Sequence, residues 1–187
     1  MVNTFDAVLE LTTTRGLHHR DANSQDNTLG VGVDVSSQTA TARTTLLEPN
    51  VGTGRFEQAG LWFGVDNDNF VKFVVASTRS GSLLQGVIEV NGVPVDTTND
   101  LPMDFTGMDV ELELLIDPVT LMVTGFAQVG TQARREIFSF SAPPAFFSLE
   151  PSVINPQIGV SSFVGVFGSH RFGPSPVVYR FSDFSVE

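Results

Sequence analysis

The run Gln58–Val75, QAGLWFGVDNDNFVKFVV, constrains the fold more than any other stretch of this chain. Two apolar segments flank GVDNDN, a cluster of turn formers that continues neither a strand nor a helix. Glycine accepts positive φ without steric cost, and Asn and Asp side chains bond their own backbone, so the chain reverses here. The flanks are rich in Phe, Val and Leu, as a buried sheet requires. The run predicts a β-hairpin, and with it an all-β domain.

The rest of the sequence repeats that period of two. Leu29–Val35 and Met108–Ile116 alternate cleanly, Ala7–Thr12 does so weakly, and Thr39–Leu47 is rich in Thr. Gly86–Val90 and Val93–Val95 flank Asn91-Gly92, a strong type I′ turn signal. Leu121–Val129, Ile137–Phe140, Gln157–Gly168 and Val177–Val186 complete the predicted strands. Helical periodicity is nearly absent, and the best candidate is the short piece Ala145–Leu149, hemmed by Pro143, Pro144 and Pro151. Turn signals recur roughly every 8 to 12 residues, the spacing of sandwiches and barrels. The expected architecture is one domain over residues 1–187, an all-β, two-sheet antiparallel β-sandwich.

Composition narrows the function classes. The chain has 187 residues, 41% of them hydrophobic, and its 16 Phe against one Trp and one Tyr predict dense internal packing. No apolar run reaches the length of a transmembrane helix, so membrane insertion is not expected. The first residues, MVNTFDAVLEL, lack a basic start and a long apolar stretch, so no signal peptide is visible in them. Net charge is −11, and Lys72 is the sole lysine. Such a surface repels phosphate backbones, which disfavours nucleic acid, and it suits neutral ligands such as sugars and divalent cations. With no cysteine there is neither a disulfide nor a thiolate metal site.

Three segments, in order, resemble the concanavalin A-like lectin/glucanase jelly roll, the sandwich also seen in laminin G-like modules. Gln58–Val75 is similar to the Q-A-G-L-x-F…D-x-N-(Y/F)-x-K hairpin of the bacterial branch found as accessory domains beside glycoside hydrolases. Val110–Gly125, VELELLIDPVTLMVTG, resembles its L-x-L-x-I-D…V-x-G hairpin, and Val164–Val186 resembles its closing G-(I/L)-F…F-D-D-F-x-V strands. The resemblance implies a jelly roll, a polysaccharide-related role and an extracellular or cell-surface location. It also implies a structural Ca²⁺ near the terminal strands, with Asp183 as the matching ligand. Where the family often has two consecutive acids, this chain has Ser182-Asp183.

Candidate chemistry follows from the residues and the resemblance together. Retaining glucanases of this fold carry E-x-D-x-x-E on one strand, because a double displacement needs two carboxylates roughly 5 Å apart. The nearest match here is Asp109, Glu111 and Glu113, spaced D-x-E-x-E with the last family acid missing, which disfavours an enzyme of that type. No activated-serine elbow surrounds His18, His19 or His170. A transition metal at His18-His19 would need a third ligand such as Asp21 or Asp26. Asp66 and Asp68 have oxygen chemistry suited to Ca²⁺, but not the D-x-D-x-D spacing of an EF-hand.

Sugar binding needs an aromatic platform and planar polar groups on an open face. Ala59, Leu61 and Phe63 share one parity and point to the core, which turns Trp62 and Gln58 the other way. Trp62 is then either a stacking platform or a packed side chain under a loop. By parity Arg43, Lys72 and Glu111 or Glu113 are expected on the face of Trp62, with His170 and Arg171 at its rim. The leading expectation is a non-catalytic carbohydrate-binding or adhesion module of a larger secreted or surface bacterial protein. Its partners would be a glycan or polysaccharide and neighbouring domains of the same polypeptide. A structural or protein-interaction domain is the alternative, and a glycoside hydrolase using Glu111 and Glu113 is the third reading.

Overall fold

Apolar residues at every second position oblige each long strand to bury one face, and two sheets stacked face to face satisfy that demand. A computed structural model describes residues 2–5, 7–16, 18–20, 22–24, 26–49, 56–78, 81–149 and 162–187, the side chains of 2–5, 18, 22–23 and 101–102 excepted. In chain order the strands are β1 (Val2–Phe5), β2 (Val8–Thr12), β3 (His18–His19), β4 (Ala22–Asn23), β5 (Thr28–Val33), β6 (Ala40–Leu46), β7 (Gln58–Asp66) and β8 (Asn69–Thr78). There follow β9 (Gly81–Val90), β10 (Val93–Met103), β11 (Val110–Asp117), β12 (Met122–Val129), β13 (Arg135–Ser141), β14 (Ser162–Ser169) and β15 (Val178–Val186).

One sheet has the order β1-β2-β15-β6-β11-β12-β13 and the other β10-β9-β8-β7-β14-β5, while β3 and β4 form a small separate ribbon. All these pairings are antiparallel. The expected all-β sandwich is thus what the chain forms, and the short helix expected at Ala145–Leu149 is a 3₁₀ turn at Pro144–Phe147. The strands β1, β3 and β4 are additions to the predicted set. Of the strand expected from Gln157, residues 157–161 lie outside the described residues, as does the candidate ligand Asp21.

Local chemistry sets the register. In the β7–β8 hairpin Asp66 Oδ1 accepts from the Asp68 N–H at 2.8 Å and from Asn69 Nδ2 at 2.9 Å, closing the turn. At the β9–β10 turn Asn91 and Gly92 have φ of 51° and 70°, the two positive values that a type I′ turn demands. The two tips are stitched together: the Gly92 N–H donates to the Asp68 carbonyl at 2.8 Å, and the Asn91 N–H to Asn69 Oδ1 at 3.0 Å.

Between the sheets, Leu61, Phe63, Phe73, Leu112, Leu114, Phe138 and Phe140 belong to one buried cluster. Phe138 spans the layers. It stacks on Phe140 with centroids 4.4 Å apart and meets Phe73 edge-on at 5.1 Å. Gly86 on β9 and Gly125 on β12 make room for it, because a Cβ would fall 2.3 Å and 2.2 Å from the Phe138 ring.

Candidate functional site

The face of the β10-β9-β8-β7-β14-β5 sheet turned away from the core carries a second set of side chains. Register places Trp62 of β7 opposite Lys72 of β8, Lys72 opposite Val87 of β9, and Val87 opposite Thr97 of β10. Part of this face is apolar: Trp62, Phe70, Val74, Ala76, Leu83 and Phe167 form a buried cluster distinct from the inter-sheet core. The parity reading of Trp62 therefore holds, yet its indole is only 4% exposed. It is not an open platform. It borders a shallow hollow of about 230 Å³ together with Thr28, Gly30, Asn67 and Phe163.

Beside that cluster lies a polar hollow of about 160 Å³. Gln58, Lys72, Gln85 and Val87 form its sheet-borne wall, Thr97 stands on β10, and His19, Phe56 and Arg171 reach in from other segments. Lys72 is 3% exposed, and burial pushes its ammonium down to about 8 despite the nearby Glu89, with Arg171 adding to the shift. Glu89 is wholly buried. Its carboxylate lies 2.7 Å from His19 Nδ1 and accepts from the Arg20 N–H at 2.6 Å. The Arg171 guanidinium stands over Phe56 and Phe172, 5.3 and 4.6 Å from the ring centroids. Among the described residues, Gln58 Oε1 is buried without a hydrogen-bond partner.

Other expected site residues are placed elsewhere. Arg43 on β6 and Glu111 and Glu113 on β11 belong to the opposite sheet, so the expectation that they share the face of Trp62 is corrected. Alternation along one strand tells its two faces apart but not which sheet the strand joins. Glu113 is bridged there by Arg43 Nε at 2.8 Å and by Arg134 Nη2. Burial raises the Glu113 pKa, but the hydrogen bonds and charges of Arg134 and Arg43 outweigh it and hold the group below its ordinary value. A carboxylate clamped in this way is a poor nucleophile or proton donor. His170, expected at the rim beside Arg171, is instead 4% exposed, with Nδ1 3.0 Å from Thr13 Oγ1.

The carboxylates proposed for Ca²⁺ do not converge. Asp66 is engaged in its own turn, and Asp183 sits on β15 of the other sheet, where its carboxylate accepts from Ser182 Oγ at 2.8 Å. Ca²⁺ requires six to eight oxygen ligands. Among the described residues no group of three or more His, Asp or Glu is gathered to hold a metal.

Several residues of the hollow were not legible in the sequence. Gln85 and Val87, with Glu89 beyond the hollow, alternate on β9 and could have been read as one face, but nothing in the sequence set that face beside Lys72. His19 arrives from a segment remote in sequence, whereas Phe56 lies just before Gln58 on the way into β7.

No family model and no curated protein sequence matches the chain. Solved structures do. A protein of unknown function from Saccharomyces cerevisiae aligns over 100% of this chain and 91% of its own, with TM-score 0.75 and 14% identity. The GH43 protein BlXynB of Bacillus licheniformis aligns over 96% of this chain with TM-score 0.75 and 17% identity. A legume lectin-like domain from Entamoeba histolytica aligns over 100% of this chain and 86% of its own, with TM-score 0.59 and 8% identity. The fold is the concanavalin A-like jelly roll. At these identities the likeness concerns the jelly roll alone, and the chain spans 32% of the GH43 protein it matches.

Proposed function

We propose that this jelly roll is a non-catalytic carbohydrate-binding module, working beside other domains of a secreted or surface bacterial protein. The observation that carries the reading is the polar hollow beside Trp62, where amide, hydroxyl and cationic groups converge next to an aromatic ring. Sugars are bound by this combination: planar polar groups meet hydroxyls, and a ring covers an apolar sugar face. Gln58, whose Oε1 is buried without a hydrogen-bond partner among the described residues, lines this hollow. The lectin-like and GH43 neighbours of the same fold support a carbohydrate-related role.

Hydrolysis is disfavoured on chemical grounds, since none of the described residues lining the hollow carries a carboxylate. Glycoside hydrolysis ordinarily needs two. Glu89, whose charge acts on Lys72, is engaged by His19 and the Arg20 N–H. A glycan array with the isolated chain tests the reading, with Gln58→Ala as the control. Binding lost in that variant at unchanged stability is the expected outcome. A flat response across the array favours a structural or interaction domain instead, and product release from a polysaccharide panel refutes the non-catalytic assignment.

A further inference from the structure

The edges of a sheet normally carry devices that block further pairing, because a flat apolar edge recruits another strand. β10, one edge of the six-stranded sheet, has them: Pro94, Asp96, Asp100 and Pro102 lie along it, and its register against β9 shifts twice. β13, an edge of the other sheet, carries Arg135 and Glu136. β5 has none of these. Its sequence, TLGVGV, contains no charge and no proline, and its register against β14 runs without a shift from Thr28 to Val33. Among the described residues it pairs with β14 alone, and Leu29 and Val31 are 50% and 47% exposed.

Shape and charge say what kind of strand this edge accepts. Leu29 and Val31 lie opposite the core residues Val166 and Val164, so they extend the apolar side of the sheet to its border. On the other face Thr28 and Gly30 line the shallow hollow with Trp62 and Phe163. Trp62, Gly165 and Gly30 stand in one row, so no side chain separates the indole from the edge. Asp26 and Asp34, both exposed, bracket the strand in a chain of net charge −11. A second copy pairing antiparallel with Leu29 against Val31 would set Asp26 against Asp34 at both ends, and like charges directly opposite destabilise a pair. A basic strand gains where a second copy loses.

We infer that β5 is a docking edge for an extended segment of a partner protein, with an apolar centre and a basic residue at either end. The segment adds a strand to the sheet, and one large apolar side chain leans across Gly30 into the hollow. Its neighbours cover Leu29 and Val31, and its cations meet Asp26 and Asp34. This surface is separate from the polar hollow and does not depend on the carbohydrate reading.

Trp62 is the sole tryptophan and borders the hollow, so its emission reports occupancy. The test is a fluorescence titration with the end-capped peptide KTTVFVTTK, whose Phe falls opposite Gly30 when its lysines meet the two aspartates. A saturable change is expected, at least about tenfold tighter than with ETTVFVTTE and weakening as salt is added. N-methylating one alternate set of peptide amides should abolish binding and the other set should not, because only one set faces β5. Leu29→Lys combined with Val31→Lys should remove binding with the unfolding transition retained. Asp26→Asn combined with Asp34→Asn, both at exposed positions, should erase the preference for the lysine peptide and keeps the test open should the first variant misfold. No binding of the lysine peptide, equal binding of the two peptides, or indifference to both methylated sets overturns the inference. So does a dimer in sedimentation that the double lysine variant dissociates, since the edge then serves a second copy.

Discussion

Replacing Lys72 by Met is expected to change how stability depends on pH, by an amount that follows from the burial of the ammonium. Its ordinary value of 10.5 falls to about 8 in the folded chain, chiefly through burial. Each unit of such a shift is worth about 1.4 kcal/mol, so a charged Lys72 costs the folded state about 3 kcal/mol. Below pH 8 the lysine is protonated in both states, and the penalty is fully present. Between pH 8 and 10.5 the unfolded chain holds the proton that the folded chain has lost, so stability rises with pH. Above 10.5 the penalty is gone. Methionine fills nearly the same space and does not titrate, so other ionisations cancel in the comparison. Lys72→Met should therefore be the more stable form at pH 7, less whatever Glu89 loses with its cationic neighbour. Its margin over the parent should shrink by about 3 kcal/mol as the pH approaches 11. Urea unfolding at several pH values reads this directly, the change being roughly 1 M in relative midpoint for a slope of 2–3 kcal/mol/M. A stability difference that stays flat from pH 7 to pH 11 refutes the placement of a buried ammonium here.

Three further outcomes are expected. Gly125→Ala drives a methyl against the Phe138 ring and should cost about 1–3 kcal/mol, while Phe138→Ala leaves a cavity and should cost about 3–5 kcal/mol by chemical denaturation. If Gly125→Ala proves neutral, the close packing of the Phe138 ring over β12 is wrong. Glu113→Gln removes the charge shared by two half-exposed arginines and should cost about 1 kcal/mol near pH 7. Because the folded carboxyl titrates below its ordinary 4.5, that contribution is present above pH 4.5 and lost as the pH falls beneath it, so parent and variant should converge in acid. Finally, Asp66 and Asp183 stand on different sheets, so chelation should leave the thermal midpoint unchanged. A calcium-dependent rise of several degrees that Asp183→Asn abolishes would contradict a purely local role for Asp183.

The pattern of residues settled most of the architecture. Ala59, Leu61 and Phe63 alternate with Gln58 and Trp62, and a side-chain period of two leaves one face for the core, whatever lies across from it. Asn91-Gly92 fixed its turn because few other dipeptides accept two positive φ values in succession. These are local effects, carried within a strand or a hairpin.

What lies across each strand is a different matter, and only the tertiary structure decided it. Arg43 and Lys72 look alike in their strands, yet β6 and β8 enter opposite sheets, so one guanidinium clamps Glu113 while the ammonium joins the hollow. Trp62 reads as a candidate platform until Phe70, Val74 and Phe167 of the flanking strands are packed against it. Alternation is a property of one strand, whereas charge, burial and ligand chemistry depend on which strands are neighbours, and that depends on the whole chain packing at once.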